Sequence, residues 1–104
     1  MLNQISLEDK IQSIISLYSN GKINEALESI EFLIVNYPNE ALLHNISGAC
    51  HANLGQLSKA VSCYNNALKL NPNYAEASNN LGITLHQLGK LDDAIRNYNK
   101  ALLI

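Results

Sequence analysis

Residues 41–74 read ALLHNISGACHANLGQLSKAVSCYNNALKLNPNY, and the chain on either side repeats this stretch in register. A step of 34 residues forward carries Gly48, Gly55, Ala60, Tyr64 and Ala67 onto Gly82, Gly89, Ala94, Tyr98 and Ala101. The same step back carries Gly55, Ala60 and Pro72 onto Gly21, Ala26 and Pro38, with no insertion anywhere. A helical unit recurring at that period cannot bury its apolar side alone. Stacked neighbours make the core, as in a solenoid. Repeats of about 7–40, 41–74 and 75–104 are expected, forming one domain with no linker.

Local signals place two helices in each copy. Ser6 can cap the first, with Asp9 three residues on, and Leu7, Ile11, Ile14, Ile15 and Leu17 then recur at helical spacing. Asn20-Gly21 stops it, because these residues tolerate positive φ. A second helix runs from about Ile23 to Val35 and ends before Pro38, which has no N–H to continue the ladder. The same grammar predicts helices over 40–54, 57–70, 74–88 and 91–103. The fold class is therefore all-α: three antiparallel helix hairpins. The small residues Gly48, Gly82, Ala60, Ala67, Ala94 and Ala101 are expected to let partner backbones approach. Tyr64 and Tyr98 are expected to supply area between neighbouring units.

Composition narrows the function classes. Apolar residues make up 47% and charged residues 15%, which is globular rather than disordered. Formal charge is −2 and the seven Lys and Arg are scattered, so nothing is built to neutralise phosphates and no nucleic-acid partner is expected. The start, MLNQISLEDK, lacks the basic and apolar segments of a signal peptide. No apolar run approaches the roughly 20 residues that span a bilayer. Two cysteines outside CxxC spacing form no staple framework. A cytoplasmic protein without membrane contact is the expectation.

The pattern of small residue, turn Gly, Ala, aromatic, Ala and Pro resembles the tetratricopeptide repeat (TPR) family over Leu7 to Ile104. The third copy, AEASNNLGITLHQLGKLDDAIRNYNKAL (75–102), looks like the near-consensus bacterial and O-GlcNAc-transferase-like kind. The first copy departs from it, with Ile14 at the place of Gly48 and Gly82 and Leu33 at that of Ala67 and Ala101. The family's first-helix aromatic pair is replaced by Lys10, His44 and Ser78 in one column and Leu17, His51 and Leu85 in the other.

The resemblance implies a right-handed superhelix whose first helices line a concave side that binds extended peptides or partner helices. The candidate surface here is the i, i+4 series Ile11/Ile15/Ser19, Asn45/Ala49/Asn53 and Asn79/Ile83/Gln87, flanked by Gln12/Ile46/Asn80 and Tyr18/Ala52/His86. The groove carried over has an apolar floor of Ile11, Ile15, Ile46, Ala49 and Ile83 and an amide rim of Asn45, Asn79 and Asn80. Asn offers an acceptor and two donors and can pair a peptide backbone in either sense. The alternative is that these amides are merely solvated. Relatives that grip a C-terminal carboxylate use a cationic set. The corresponding places here are Ile11, Ile15, Ile46, Glu76 and Asn80, so a carboxylate clamp is not expected.

Sharper chemistry finds little support. His44 and His51 lie two turns, about 10 Å, apart on one helix, too far to share one ion, and Cys50 points about 100° away from His51. No metal and no cofactor is expected, and the cysteines read as small packing residues. Asp92 and Asp93 are adjacent and do not face each other, so they make no acid–base pair. They suit the positive end of a helix instead. No nucleophile–base order or phosphate loop is present, and an enzyme is not expected. Asn45-Ile46-Ser47 matches a glycosylation sequon but falls mid-helix.

The last residues, Leu102, Leu103 and Ile104, are apolar where a solenoid needs a polar terminal face. Two readings follow. The chain is the N-terminal part of a longer protein, with further repeats or a sugar or sulfate transferase domain for which it is an accessory, or this face joins a second copy as a homo-oligomer. The leading expectation is a protein-interaction scaffold.

Overall fold

Ser6 opens the first helix as its sequence suggests: its Oγ accepts from the Asp9 N–H at 3.1 Å. The computed structural model describes residues 5–104, so Met1–Gln4, part of the start read as lacking a signal peptide, lie outside the described residues. Six helices follow: α1 (Leu7–Ser19), α2 (Ile23–Asn36), α3 (Ala41–Asn53), α4 (Leu57–Leu70), α5 (Ala75–Gln87) and α6 (Leu91–Leu103). They match the predicted spans to within a residue at either end. No strand occurs among the described residues.

Each hairpin closes by the same device. Gly21, Gly55 and Gly89 adopt φ of 79°, 76° and 80°, the left-handed region that a side chain disfavours. The glycine N–H returns to the carbonyl three residues back, and the next N–H to the carbonyl five back, as in Lys22 to Leu17 at 2.9 Å and Gln56 to His51 at 2.8 Å. This is a Schellman turn, which satisfies helix-end carbonyls while reversing the chain. The hairpins themselves are joined through Pro38 and Pro72.

Packing runs along the chain: each helix lies against the next, α1 also approaches α3, and α3 approaches α5. No comparable approach joins α2 to α4 or α4 to α6. First helices are therefore closer together than second helices, and theirs is the inner side of a curve. The array is elongated, 54 × 25 × 20 Å. Its apolar interior straddles the hairpins. One cluster combines Ile11, Ile14, Ile30 and Leu33 with Leu43, Ile46 and Cys50 of α3. The other combines Ala60 and Tyr64 of α4 with Leu81, Leu85 and Ala94 of the third hairpin.

Two packing expectations need correction. Gly48 and Gly82 make room for a tyrosine ring rather than for backbone. A Cβ on Gly48 would lie 2.6 Å from Tyr64 Cε1, and one on Gly82 would lie 2.8 Å from Tyr98 Cδ1. Tyr64 consequently seats within its own hairpin, 3% exposed, as well as touching the next. Position 14 has no such need, since its partner across α2 is Ile30 rather than a ring.

Candidate functional site

The inner surface carries a hollow of about 250 Å³ built from all three first helices. Tyr18 reaches in from α1, Ala49, Ala52 and Asn53 come from α3, and Asn80, Ile83, Thr84 and Gln87 come from α5. Tyr64 of α4 closes its floor. The i, i+4 spacing of Ala49/Asn53 and Ile83/Gln87 puts these four on one face of their helices. No lining side chain carries a formal charge, so the polar groups available are neutral amides and hydroxyls. Burial pushes the Tyr64 hydroxyl well above its ordinary range, with Tyr18 adding to the shift, so the phenol stays protonated.

The sequence-derived groove residues divide into three groups. Ala49, Asn80 and Ile83 come together at the hollow, Ile83 being 44% exposed, and Ile15 is exposed on α1. Ile11 and Ile46 belong instead to the first apolar cluster and are buried there, so they form no floor open to a ligand. Asn45 is no rim residue either: it is 3% exposed at the junction of the second and third hairpins. Its Oδ1 accepts from Asn80 Nδ2 at 3.2 Å. Asn79 is exposed. Ile11, Asn45 and Asn79 share a column whose members face the following hairpin, which covers the first two. At the other end, Leu102 and Leu103 are exposed and Ile104 is half exposed.

Tyr64 and Thr84 were missed. Tyr64 reads as inter-repeat filler, and only the Gly48 contact shows that it lies beneath the inner face. Thr84 turns its Oγ1 back to donate to the Asn80 carbonyl at 2.9 Å, a local bond with no sequence signature of its own. Asn53, Gln87, Tyr18 and Ala52 were in or beside the stripe but outside the narrower groove.

The residues raised for metal chemistry are engaged elsewhere. His44 Nε2 donates to the Pro38 carbonyl at 2.8 Å, tying α3 to the preceding turn. His51 Nδ1 bonds Gln56 Oε1 at 2.7 Å across the next turn. Burial chiefly pushes the Cys50 thiol up from its ordinary value to about 11, and Cys63 is raised for the same reason while pairing with Ser47 Oγ at 3.5 Å. Neither is an activated nucleophile. Asp93 is paired with Arg96 on the surface of α6.

Comparison with known families agrees with this geometry. Models of the tetratricopeptide repeat match residues 12–62 and 75–104, and a TPR repeat model matches 51–89, so that together they cover the chain from residue 12 onward. The chain belongs to the tetratricopeptide repeat family. Among solved structures, MamA superposes with a TM-score of 0.88 at 27% identity over 93% of this chain, which spans 57% of that one. The second TPR of Spaghetti (RPAP3), bound to the HSP90 peptide SRMEEVD, gives 0.87 at 22% identity, covering 90% of this chain and 87% of that one. The Yersinia enterocolitica type III secretion translocator chaperone SycD, described as an alternative dimer, gives 0.88 at 24% identity, covering 95% of this chain and 77% of that one. Comparison with the curated proteins finds no match. No helix among the described residues is long and apolar enough to cross a membrane.

Proposed function

We propose that this TPR domain is a non-catalytic scaffold that holds an extended peptide or partner helix along its inner face. The single observation that carries the reading is the uncharged hollow shared by α1, α3 and α5, with exposed Ile83 beside neutral amides, and Ile15 is a further exposed apolar residue of α1. Apolar side chains of the ligand would contact Ile83 and Ala49, and its backbone would pair with Asn53, Asn80 or Gln87. The RPAP3 domain, of the same fold and described as peptide-bound, supports the general mode. The acidic SRMEEVD type of ligand suits this chain poorly. Glu76 stands where a clamp needs a cation, and Ile11 and Ile46 at two further clamp places are buried. The proposed setting is the cytoplasm, which the free thiols Cys50 and Cys63 support.

The test is to select binders from a displayed library of short random peptides and measure their affinity by calorimetry. Ile83→Glu and Ile15→Glu should each weaken the selected binders by about tenfold or more, about 1.4 kcal/mol. SRMEEVD should bind no tighter than millimolar. Selected peptides indifferent to both substitutions would remove the inner face as the site.

A further inference from the structure

We infer, on the inner-face binding proposed above, that Tyr64 at the floor of the hollow selects a ligand side chain ending in a primary amide. Asparagine or glutamine is preferred there over a carboxylate or an apolar chain of similar shape. Tyr64 is 3% exposed and lines the hollow, yet no hydrogen bond engages its hydroxyl among the described residues. A phenol so enclosed ordinarily has a partner. Its ring is wedged against Gly48, with Cε1 2.6 Å from where a Cβ would stand, so packing holds the hydroxyl in place. Burial keeps the proton on it, which makes it a donor.

A second group is fixed by the neighbouring hairpin. Asn80 also lines the hollow, and its Nδ2 donates to Asn45 Oδ1 at 3.2 Å. Asn45 is buried, so the Asn80 amide cannot turn over without leaving that oxygen enclosed and unpaired. Asn80 therefore offers its Oδ1, an acceptor. Its main-chain carbonyl is already taken by the Thr84 hydroxyl. The hollow thus holds a donor on Tyr64 and an acceptor on Asn80 in set places, whereas exposed Asn53 and Gln87 can turn to either role.

A primary amide matches this pair, because its carbonyl accepts from Tyr64 and its NH2 donates to Asn80. A carboxylate of the same shape has no proton to give Asn80 Oδ1. No cation lines the hollow to offset its charge, and Glu76 is among the groups that disfavour negative charge at the Tyr64 oxygen. An apolar chain leaves both polar groups enclosed and unpaired. At about 250 Å³ the hollow falls below the roughly 300–1,000 Å³ of pockets for drug-sized molecules, and it suits one side chain. Ala49 and Ala52 give the methylenes of that chain an apolar wall.

Displayed peptide libraries, random but for a central Gln, Glu or Met, supply the probes. The Gln library should yield binders that Ile83→Glu weakens. Changing their Gln to Glu or to Met should weaken binding to the wild type by about tenfold or more in calorimetry. On Tyr64→Phe the Gln and Met peptides should bind alike, and because that variant loses no internal bond its urea midpoint should not fall. Enrichment from the Glu or Met library alone, equal affinities of Gln and Met peptides for the wild type, or a preference unchanged in Tyr64→Phe would each overturn the inference. The inner face would still stand wherever Ile83→Glu weakens the peptides. Binders indifferent to Ile83→Glu would remove the inner face and the amide selection together. A lower midpoint for Tyr64→Phe would mean that its hydroxyl is paired inside the protein, which also overturns the selection.

Discussion

Ser78 and His44 occupy the same column, one repeat apart, and solve the same problem unequally. His44 is long enough to reach the Pro38 carbonyl at 2.8 Å. Ser78 is fully buried, and its Oγ has no hydrogen-bond partner among the described residues. A buried hydroxyl that gives up water without a replacement costs free energy, and removing it recovers the cost. Ser78→Ala should raise stability by about 1 kcal/mol, read as a higher urea midpoint. His44→Ala should move the midpoint the other way. A lower midpoint for Ser78→Ala would mean that the hydroxyl is paired after all.

Between helices, the deciding contact is glycine against tyrosine. Gly48 on α3 and Gly82 on α5 each face a ring on the second helix of the same hairpin. The first hairpin meets the same demand with Ile14 and Ile30, two medium side chains in place of one absent and one large, and both are buried. What the fold keeps is the summed volume between the pair of helices, since cores tolerate redistribution better than a change in total. Gly48→Ala would normally favour a helix by about 1 kcal/mol. Here the Cβ would collide with a ring that is itself enclosed, so the expected result is a net loss of about 1–3 kcal/mol. Gly82→Ala should cost less, because Tyr98 is only half-buried and can give way. Thermal denaturation of the two variants side by side tests the order. Equal losses would show that exposure of the ring is irrelevant.

Across the whole molecule, the hairpins are held by two apolar clusters and by few polar ties, of which Asn80 to Asn45 is the one joining α5 to α3. Removing Asn80 leaves the Asn45 carbonyl oxygen enclosed and short of its donor, whereas Asn80 itself is half exposed and more easily hydrated. Asn80→Ala should therefore lower stability by about 1–2 kcal/mol. In a solenoid each unit is supported only by its neighbours. The loss should accordingly show as faster amide hydrogen exchange in α5 and α6 than in α1 and α2. Uniform acceleration over all six helices would mean that the array unfolds as one block.

The same pair shows how far the sequence reaches. Helix spans, turns and the number of hairpins were legible because they depend on local backbone physics: glycine at positive φ, proline without an N–H, and apolar residues at a period near 3.6. The repeat period added which positions are equivalent. Equivalence is not environment, however. Asn45 and Asn79 share a column, yet the first is sealed beneath the next hairpin and the second faces solvent. Ile11 and Ile46, expected as an open groove floor, fall likewise on the covered side of that distinction. Local conformation is determined by a residue and its near neighbours in the chain, so the sequence by itself decides it. Burial is determined by what another hairpin lays over the residue, so only the tertiary structure decided which part of each stripe became core and which remained open for a partner.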